Sequence, residues 1–254
     1  MKAHIFASGS SGNCMLLSGG DTHILIDAGL SLRRIETALR QAGFTGQDIG
    51  GVLITHEHSD HVSGLAMLAK RYAVPIFAPH TVANRIIGAY PQTEDCIRII
   101  RVGEDFPLGM LKVRCFHTPH DTDESVGYRV ECDGVFALAT DMGHVTKEVE
   151  SNLLGADTVL VESNHDVDML REGRYPIYLK RRILFDHGHL SNEDCAGLVR
   201  RLASNGTRRI ILGHLSRVKN TPELALASSR KALAGLPVEL QCAPVFGDMC
   251  FDVR

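Results

Sequence analysis

Directly after the short apolar run Val52-Leu53-Ile54 the chain reads Thr55-His56-Glu57-His58-Ser59-Asp60-His61. The three imidazoles and the Asp60 carboxylate, packed into six residues, constrain the fold more than anything else in the sequence. Imidazole is the commonest protein ligand for zinc-like ions, and carboxylate oxygen is a normal companion. Donors this crowded repel or desolvate one another unless a cation is shared among them. The loop is read as half of a two-metal site, so the fold has to bring further donors beside it.

Those donors recur at the ends of apolar runs. His117-Thr118-Pro119-His120-Asp121 follows the run 111–116, Asp141 follows 135–140, and His214 follows 209–213. Strand ends on one edge of a sheet converge in space however far apart they lie in sequence. On these residues alone His117 and His120 stay equally open as donors, and Asp141 also reads as a turn residue or helix cap.

The runs 2–7, 14–18, 23–27, 52–54, 75–79, 97–102, 111–116, 126–132, 135–140, 157–162, 209–213, 238–243 and 249–253 predict strands, with Cys132-Asp133-Gly134 as a hairpin turn. Apolar spacing predicts a helix capped by Ser31, carrying Leu32, Ile35, Leu39 and Ala42 and stopped by Gly43. Further helices are predicted over 62–73, over 82–89, from Ser191 to about 204, and from Thr221-Pro222 onward. Residues 163–188 read as irregular and hold Arg171, Arg174, Lys180, Arg181 and Arg182. The loop Ser8-Gly9-Ser10-Ser11-Gly12-Asn13 is either an anion cradle or a tight turn. No Pro/Gly/Ser linker or composition shift divides the chain, so residues 1–254 are expected to form a single α/β domain.

Composition matters for partners. A net charge of −3 excludes a global basic bias, so any contact with a polyanion needs a local patch or bound cations. The seven cysteines are odd in number and scattered, with no C-x-x-C, which points to free thiols in a reducing compartment. No apolar run approaches a signal peptide or a membrane span, so a cytoplasmic protein without membrane contact is expected.

With these residues in view, the chain resembles the metallo-β-lactamase superfamily. The H-x-H-x-D-H hallmark is intact as His56, His58, Asp60 and His61, and Thr118-Pro119-His120, Asp141 and His214 follow in the family's order. The resemblance implies a four-layer αββα sandwich with ligands on loops at one edge of two facing sheets. It also implies that His56, His58 and His120 hold one divalent ion, that Asp60, His61 and His214 hold a second, and that Asp141 bridges them. Ser8–Cys14, Leu25–Ser31, Glu162–Asp166 and Gly188–Asn192 are similar to the YycJ/WalJ nuclease branch, which implies 5′-to-3′ exonuclease action on DNA. The stretch from His189 to Ser216 is also similar to ribonuclease Z. There a histidine acts near the scissile phosphate and is oriented by an acidic residue, and His189 and Glu162 stand at the matching positions.

A pair of divalent ions suits hydrolysis of lactams, thioesters or phosphodiesters alike. Asp60 is expected to help position the attacking water. The tilt toward phosphodiesters comes from His189 at a helix start, from Glu162 as its orienter, and from the basic cluster. His165, Lys180, Arg181 and Arg182 are the expected substrate contacts. The leading expectation is therefore a metal-dependent nuclease, most consistent with a 5′-to-3′ DNA exonuclease using zinc, manganese or iron. The alternatives are a small-molecule hydrolase acting on a thioester, lactone or cyclic phosphodiester, and a non-catalytic nucleic-acid-binding module.

Overall fold

A computed structural model describes residues 1–253; Arg254, the last residue of the domain expected from sequence, lies outside the described residues. The chain begins with strands β1 (Lys2–Ala7), β2 (Cys14–Gly19) and β3 (Thr22–Ile26), then helix α1 (Leu32–Gln41) and strand β4 (Gly51–Leu53). Helices α2 (Ser59–Val62) and α3 (Leu65–Tyr72), strand β5 (Ile76–Pro79), helix α4 (His80–Ala89) and strand β6 (Ile97–Ile100) follow. The second half holds strands β7 (Asp105–Leu108), β8 (Leu111–His117), β9 (Val126–Glu131) and β10 (Val135–Ala139), helix α5 (Lys147–Leu153) and strand β11 (Thr158–Glu162). It ends with helices α6 (Val167–Glu172), α7 (Ile177–Leu184) and α8 (Asn192–Ser204), strand β12 (Arg209–Gly213), helix α9 (Pro222–Ala232), and strands β13 (Glu239–Cys242) and β14 (Met249–Asp252).

The strands form two seven-stranded mixed sheets, ordered β14-β1-β2-β3-β4-β5-β6 and β13-β12-β11-β10-β9-β8-β7. Alternation along the strands divides the apolar residues into three layers, because successive side chains point to opposite faces. Ala3 and Ile5 of β1, Tyr128 and Val130 of β9, and Ile211 of β12 fill the space between the sheets. Phe6, Leu16 and Val52 point outward and pack against Ile35, Leu39, Leu65, Leu68 and Val82 of α1, α3 and α4. On the other outer face Val159, Val161 and Ile210 meet Val149, Leu198, Val199 and Ala225 of α5, α8 and α9. This is the expected αββα sandwich. All seven cysteines are free, and Cys14, Cys115 and Cys195 are buried as small core residues. No helix among the described residues is long and apolar enough to cross a membrane.

Strand direction positions the site. β3 and β4 run parallel, as do β10, β11 and β12, while β8 is antiparallel to β9, which is antiparallel to β10. The carboxyl ends of β8, β10, β11 and β12 therefore lie on one edge. That arrangement puts the loops after all four in reach of one another. Tyr128, fully buried between the sheets, donates its hydroxyl to the carbonyl of Ile54 at 2.6 Å, and Val126 N–H donates to Thr55 at 3.0 Å. The histidine-bearing loop of the first sheet is thus fastened to the second.

Several expectations need correction. Residues 163–188 are not irregular throughout, since they contain α6 and α7. Asp166 caps α6 by accepting from Met169 N–H, a start signal easily passed over in so short a helix. The helix expected over 62–73 starts three residues later, as α3, because Val62 closes the separate short helix α2. Gly64 approaches the loop after β3 so closely that a Cβ there would lie 2.0 Å from the Leu30 carbonyl oxygen. Ser31 precedes α1 but makes no side-chain cap, whereas Ser191 and Thr221 accept from Asp194 and Leu224 N–H as expected. Strand β7 and helix α5 are additions to the expected elements. β7 is an edge strand holding Pro107, and α5 shows only Val149 and Leu153 as buried marks.

Candidate metal centre

The loop after β4 enters α2 with His58 at its N-cap, and this sharp turn throws the four donors to different sides. His56 and His61 are fully buried, while His58 and Asp60 are part-exposed toward the cavity. Two of the three remote donors, and an acid beside them, arrive on left-handed residues. Asp141 and His214 have φ of 56° and 53°, and Asp27, after β3, has φ of 59°. Non-glycine residues avoid this region at a cost of about 1–2 kcal/mol each, and such strain concentrates at functional sites. Here it turns each side chain back over the strand edge just left.

Two groups of donor atoms result. His56 Nε2 and His120 Nε2 lie 3.0 and 3.3 Å from His58 Nδ1. Asp60 Oδ2 lies 3.7 Å from both His61 Nε2 and His214 Nε2. Asp141 stands between the groups, with Oδ2 3.4 Å from His61 Nε2 and Oδ1 3.7 Å from His120 Nε2. The rival donor at the end of β8, His117, is exposed and contacts Glu124 and Glu148 instead.

This donor set fits divalent ions on two observations. Asp141 Oδ2 and His214 Nε2 are buried without a hydrogen-bond partner among the described residues, a costly state unless another species is shared there. The spacings around Asp60 and Asp141 are also too long for hydrogen bonds. Ligands about 2.1 Å from one tetrahedral ion would stand about 3.4 Å apart.

Electrostatics point the same way. Burial alone would lower the pKa of His61, but the carboxylates of Asp27 and Asp141 outweigh it and push it up to about 9. His214 is likewise raised well above the usual range, against its burial, by Asp141, Asp60 and Glu162. Burial opposes ionisation of Asp60 and Asp141, yet the neighbouring histidines hold both below the usual carboxylate range. His56 and His120 move down, chiefly through burial. The His61–His214 side is therefore an anionic nest in which protons stand where cations belong, and the His56–His120 side keeps neutral imidazoles ready to ligate.

A second set of groups fixes the rings. His61 Nδ1 donates to Asp27 Oδ2 at 2.7 Å, and Thr55 donates both its N–H and its hydroxyl to the same carboxylate. His56 Nδ1 lies 3.1 Å from Thr55 Oγ1, and His120 Nδ1 lies 3.3 Å from the Gly188 carbonyl. Glu162 is fully buried. Its Oε1 accepts from His214 Nδ1 at 2.9 Å and from His189 Nδ1 at 2.8 Å, while its Oε2 accepts from Met142 and Leu190 N–H. Such partners select the tautomer and aim the opposite nitrogen at the metal. His189, despite burial, is raised above the ordinary value by Glu162 and then by Asp141.

His189 lines a cavity of about 270 Å³ with His58, Asp60, His120, Asp141 and His214. Tyr175, Leu179, Arg182 and Ile183 from α7 and the segment before it form one wall. Of the basic residues expected to touch substrate, Arg182 reaches this wall and pairs there with Asp121. Lys180 donates to the Arg171 carbonyl, and Arg181 is exposed. His165 is placed differently from expectation. It is 1% exposed, a burial that depresses its pKa to about 4, and it is not part of the cavity lining. The Ser8–Asn13 loop forms a tight turn, with Ser10 lining the cavity. Gly12 N–H bonds Gly9, Asn13 N–H bonds the Asp60 carbonyl, and Gly9 N–H bonds the Asn13 side chain.

Sequence reasoning passes over Asp27 and Asp121. Asp27 carries the same signal as Asp141, an acid at a strand end, and Asp121 directly follows His120.

Comparison with known proteins agrees with this geometry. A family model described as the beta-lactamase superfamily domain matches residues 22–215. Exodeoxyribonuclease YycJ of Bacillus anthracis is 39% identical over 233 residues, covering 90% of this chain and 88% of the relative. Exodeoxyribonuclease WalJ of Streptococcus pneumoniae is 38% identical over 230 residues, covering 88% and 85%. Among solved structures, the short form of human tRNase Z superposes over 100% of both chains with a TM-score of 0.70 at 16% identity, a likeness of fold. The chain belongs to the metallo-β-lactamase superfamily, within the family of the YycJ and WalJ proteins.

Proposed function

We propose that this chain is a divalent-metal-dependent deoxyribonuclease that removes nucleotides from DNA ends in the 5′-to-3′ direction. The observation that carries the reading is the Glu162–His189 pair. His189 stands outside both donor groups, has Nδ1 tied to Glu162, and presents its remaining nitrogen to the cavity the donors line. Thioester hydrolysis releases a thiolate that needs no proton donor, but phosphodiester hydrolysis expels a poorly stabilised alkoxide that does. The activity borne in the names of the YycJ and WalJ relatives agrees.

His56, His58 and His120 would hold one ion, Asp60, His61 and His214 a second, and Asp141 would contact both. Zinc, manganese and iron all suit these nitrogen and oxygen donors. When bound, a pair of such ions supplies Lewis-acid charge and makes water acidic enough to act as a nucleophile near neutral pH. Asp60, part-exposed at the cavity floor, orients the attacking water through its carboxylate. His189 donates the proton on Nε2 to the leaving oxygen, and Glu162 keeps the ring in that orientation and stabilises its charged form. Leu179 and Ile183 narrow the cavity beside them and limit water.

Both sheets supply donors to the same centre, which supports reading residues 1–254 as one hydrolase domain. Seven free thiols fit a reducing, cytoplasmic setting.

The test is digestion of 5′- and 3′-end-labelled DNA and RNA with zinc, manganese or iron added, comparing the parent with His189→Ala and Asp60→Ala. DNA should be shortened from its 5′ end. His189→Ala should lose about 100-fold or more in rate while retaining its metal. A metal-loaded parent inert on DNA would sink the reading.

A further inference from the structure

Helix α7 buries none of its eight residues, unlike α1, α3, α8 and α9. At 100° per residue its side chains divide into two flanks. Leu179, Arg182 and Ile183 face the metal-centre cavity. Ile177, Tyr178 and Leu184, with Phe185 just beyond the helix, are 71%, 73%, 45% and 68% exposed. Four of the ten large hydrophobic side chains exposed among the described residues thus fall within nine consecutive positions. Isolated exposed apolar residues need no explanation, but a cluster rimmed by charge at the mouth of a site does.

The charge is basic. Between residues 171 and 185, Arg171, Arg174, Lys180, Arg181 and Arg182 are opposed by Glu172 alone, with Asp166 and Asp168 before the stretch and Asp186 after it. Arg182 pairs with Asp121, whereas Arg174 and Arg181 form no ion pair among the described residues. Arg181 lies between Tyr178 and Phe185, which stand seven residues and about 10 Å apart on nearly the same side.

Exposed aromatic faces with free guanidinium groups between them suit unpaired bases strung on a phosphate chain. Duplex DNA offers the charges but keeps its base faces stacked on each other. We propose that this outer flank of α7 is the docking surface for a single-stranded segment of the substrate, with bases stacking on Tyr178 and Phe185 and the backbone passing Arg181 and Arg174. The proposal rests on the nuclease reading and adds that the strand is held unpaired just outside the metal centre.

The chain contains no tryptophan, so Tyr178→Trp introduces a single fluorescent reporter at a solvent-exposed position. Metal-loaded Tyr178→Trp, titrated with phosphorothioate single-stranded DNA, should be quenched by base stacking. A blunt duplex of equal length and anionic phospholipid vesicles should leave it bright. In the double variant Tyr178→Ala/Phe185→Ala, KM for single-stranded DNA should rise roughly ten-fold or more. The ratio of single-stranded DNA cleavage to hydrolysis of bis(p-nitrophenyl) phosphate should fall accordingly.

Equal quenching by duplex or vesicles overturns the proposal, as does an unchanged ratio in the double variant. Sedimentation showing that the double variant turns a dimer into a monomer, with KM unmoved, reassigns the patch to a second copy of the chain. If the parent cleaves DNA and the double variant matches it, only the α7 proposal falls. A parent inert on all DNA removes the nuclease reading as well.

Discussion

At the scale of single residues, the centre depends on which nitrogen each imidazole turns inward. His61 has its Nδ1 bound by Asp27, and that same carboxylate holds Thr55, whose hydroxyl in turn meets His56. One acid therefore orients a ring in each donor group. Asp27→Ala should weaken divalent-metal affinity about 10- to 100-fold, with Asp27→Asn intermediate because its amide oxygen still accepts one bond. Competition against a chromophoric chelator reads this, and parental affinity in both variants would contradict the role. The sequence displays His56, His58, Asp60 and His61 openly because they are adjacent. It displays Asp27 poorly, since an acid ending a strand is recognised as an orienter only once its ring lies beside it. His120 rather than His117 stands among the clustered donors for a related reason. His117 ends β8 exposed, while His120 is buried in the loop beyond it, which spacing alone does not reveal.

At the scale of elements, the loops matter more than the helices that lead from them. Gly29, after β3, packs so closely on the metal loop that a Cβ there would sit 1.7 Å from the Asp60 carbonyl oxygen. Its N–H donates to the Asn13 carbonyl, and Asn13 N–H donates to that same Asp60 carbonyl. The Ser8–Asn13 turn is therefore a brace, and the glycine is required by contact. Gly29→Ala should displace the Asp60–His61 half of the loop, so that the folded protein retains half or less of the parent's bound metal by elemental analysis. A variant with full metal content and a parental circular-dichroism spectrum would show that the loop yields without cost. Strands with strong alternation are legible at this scale, and so are helices with a side-chain cap such as α8. The short α6 and α7 are not, because α7 buries no apolar face and periodicity has nothing to register.

At the scale of the whole molecule, the two sheets meet twice, through an apolar layer and through the metal centre. His56–His61 belong to the first sheet, while His120, Asp141 and His214 belong to the second. Strand ends converging on one edge are visible in the sequence, but the count of layers comes from family resemblance, because periodicity shows which face is buried and not what covers it. Since each proposed ion would draw donors from both sheets, bound metal should act as a tie across the sandwich. Ions that bind only the folded state stabilise it by RT ln(1 + [M]/Kd), about 2.7 kcal/mol for one site at 100 times Kd. For a chain of this size that corresponds to roughly 5–10 °C in Tm. Chelation should lower Tm by this order, and restoring zinc or manganese should recover it in a concentration-dependent way. Asp141→Ala should blunt the response, because Asp141 contacts both donor groups. A Tm indifferent to chelator in fully loaded protein would mean that the apolar layer alone holds the sheets together and that the ions serve chemistry only.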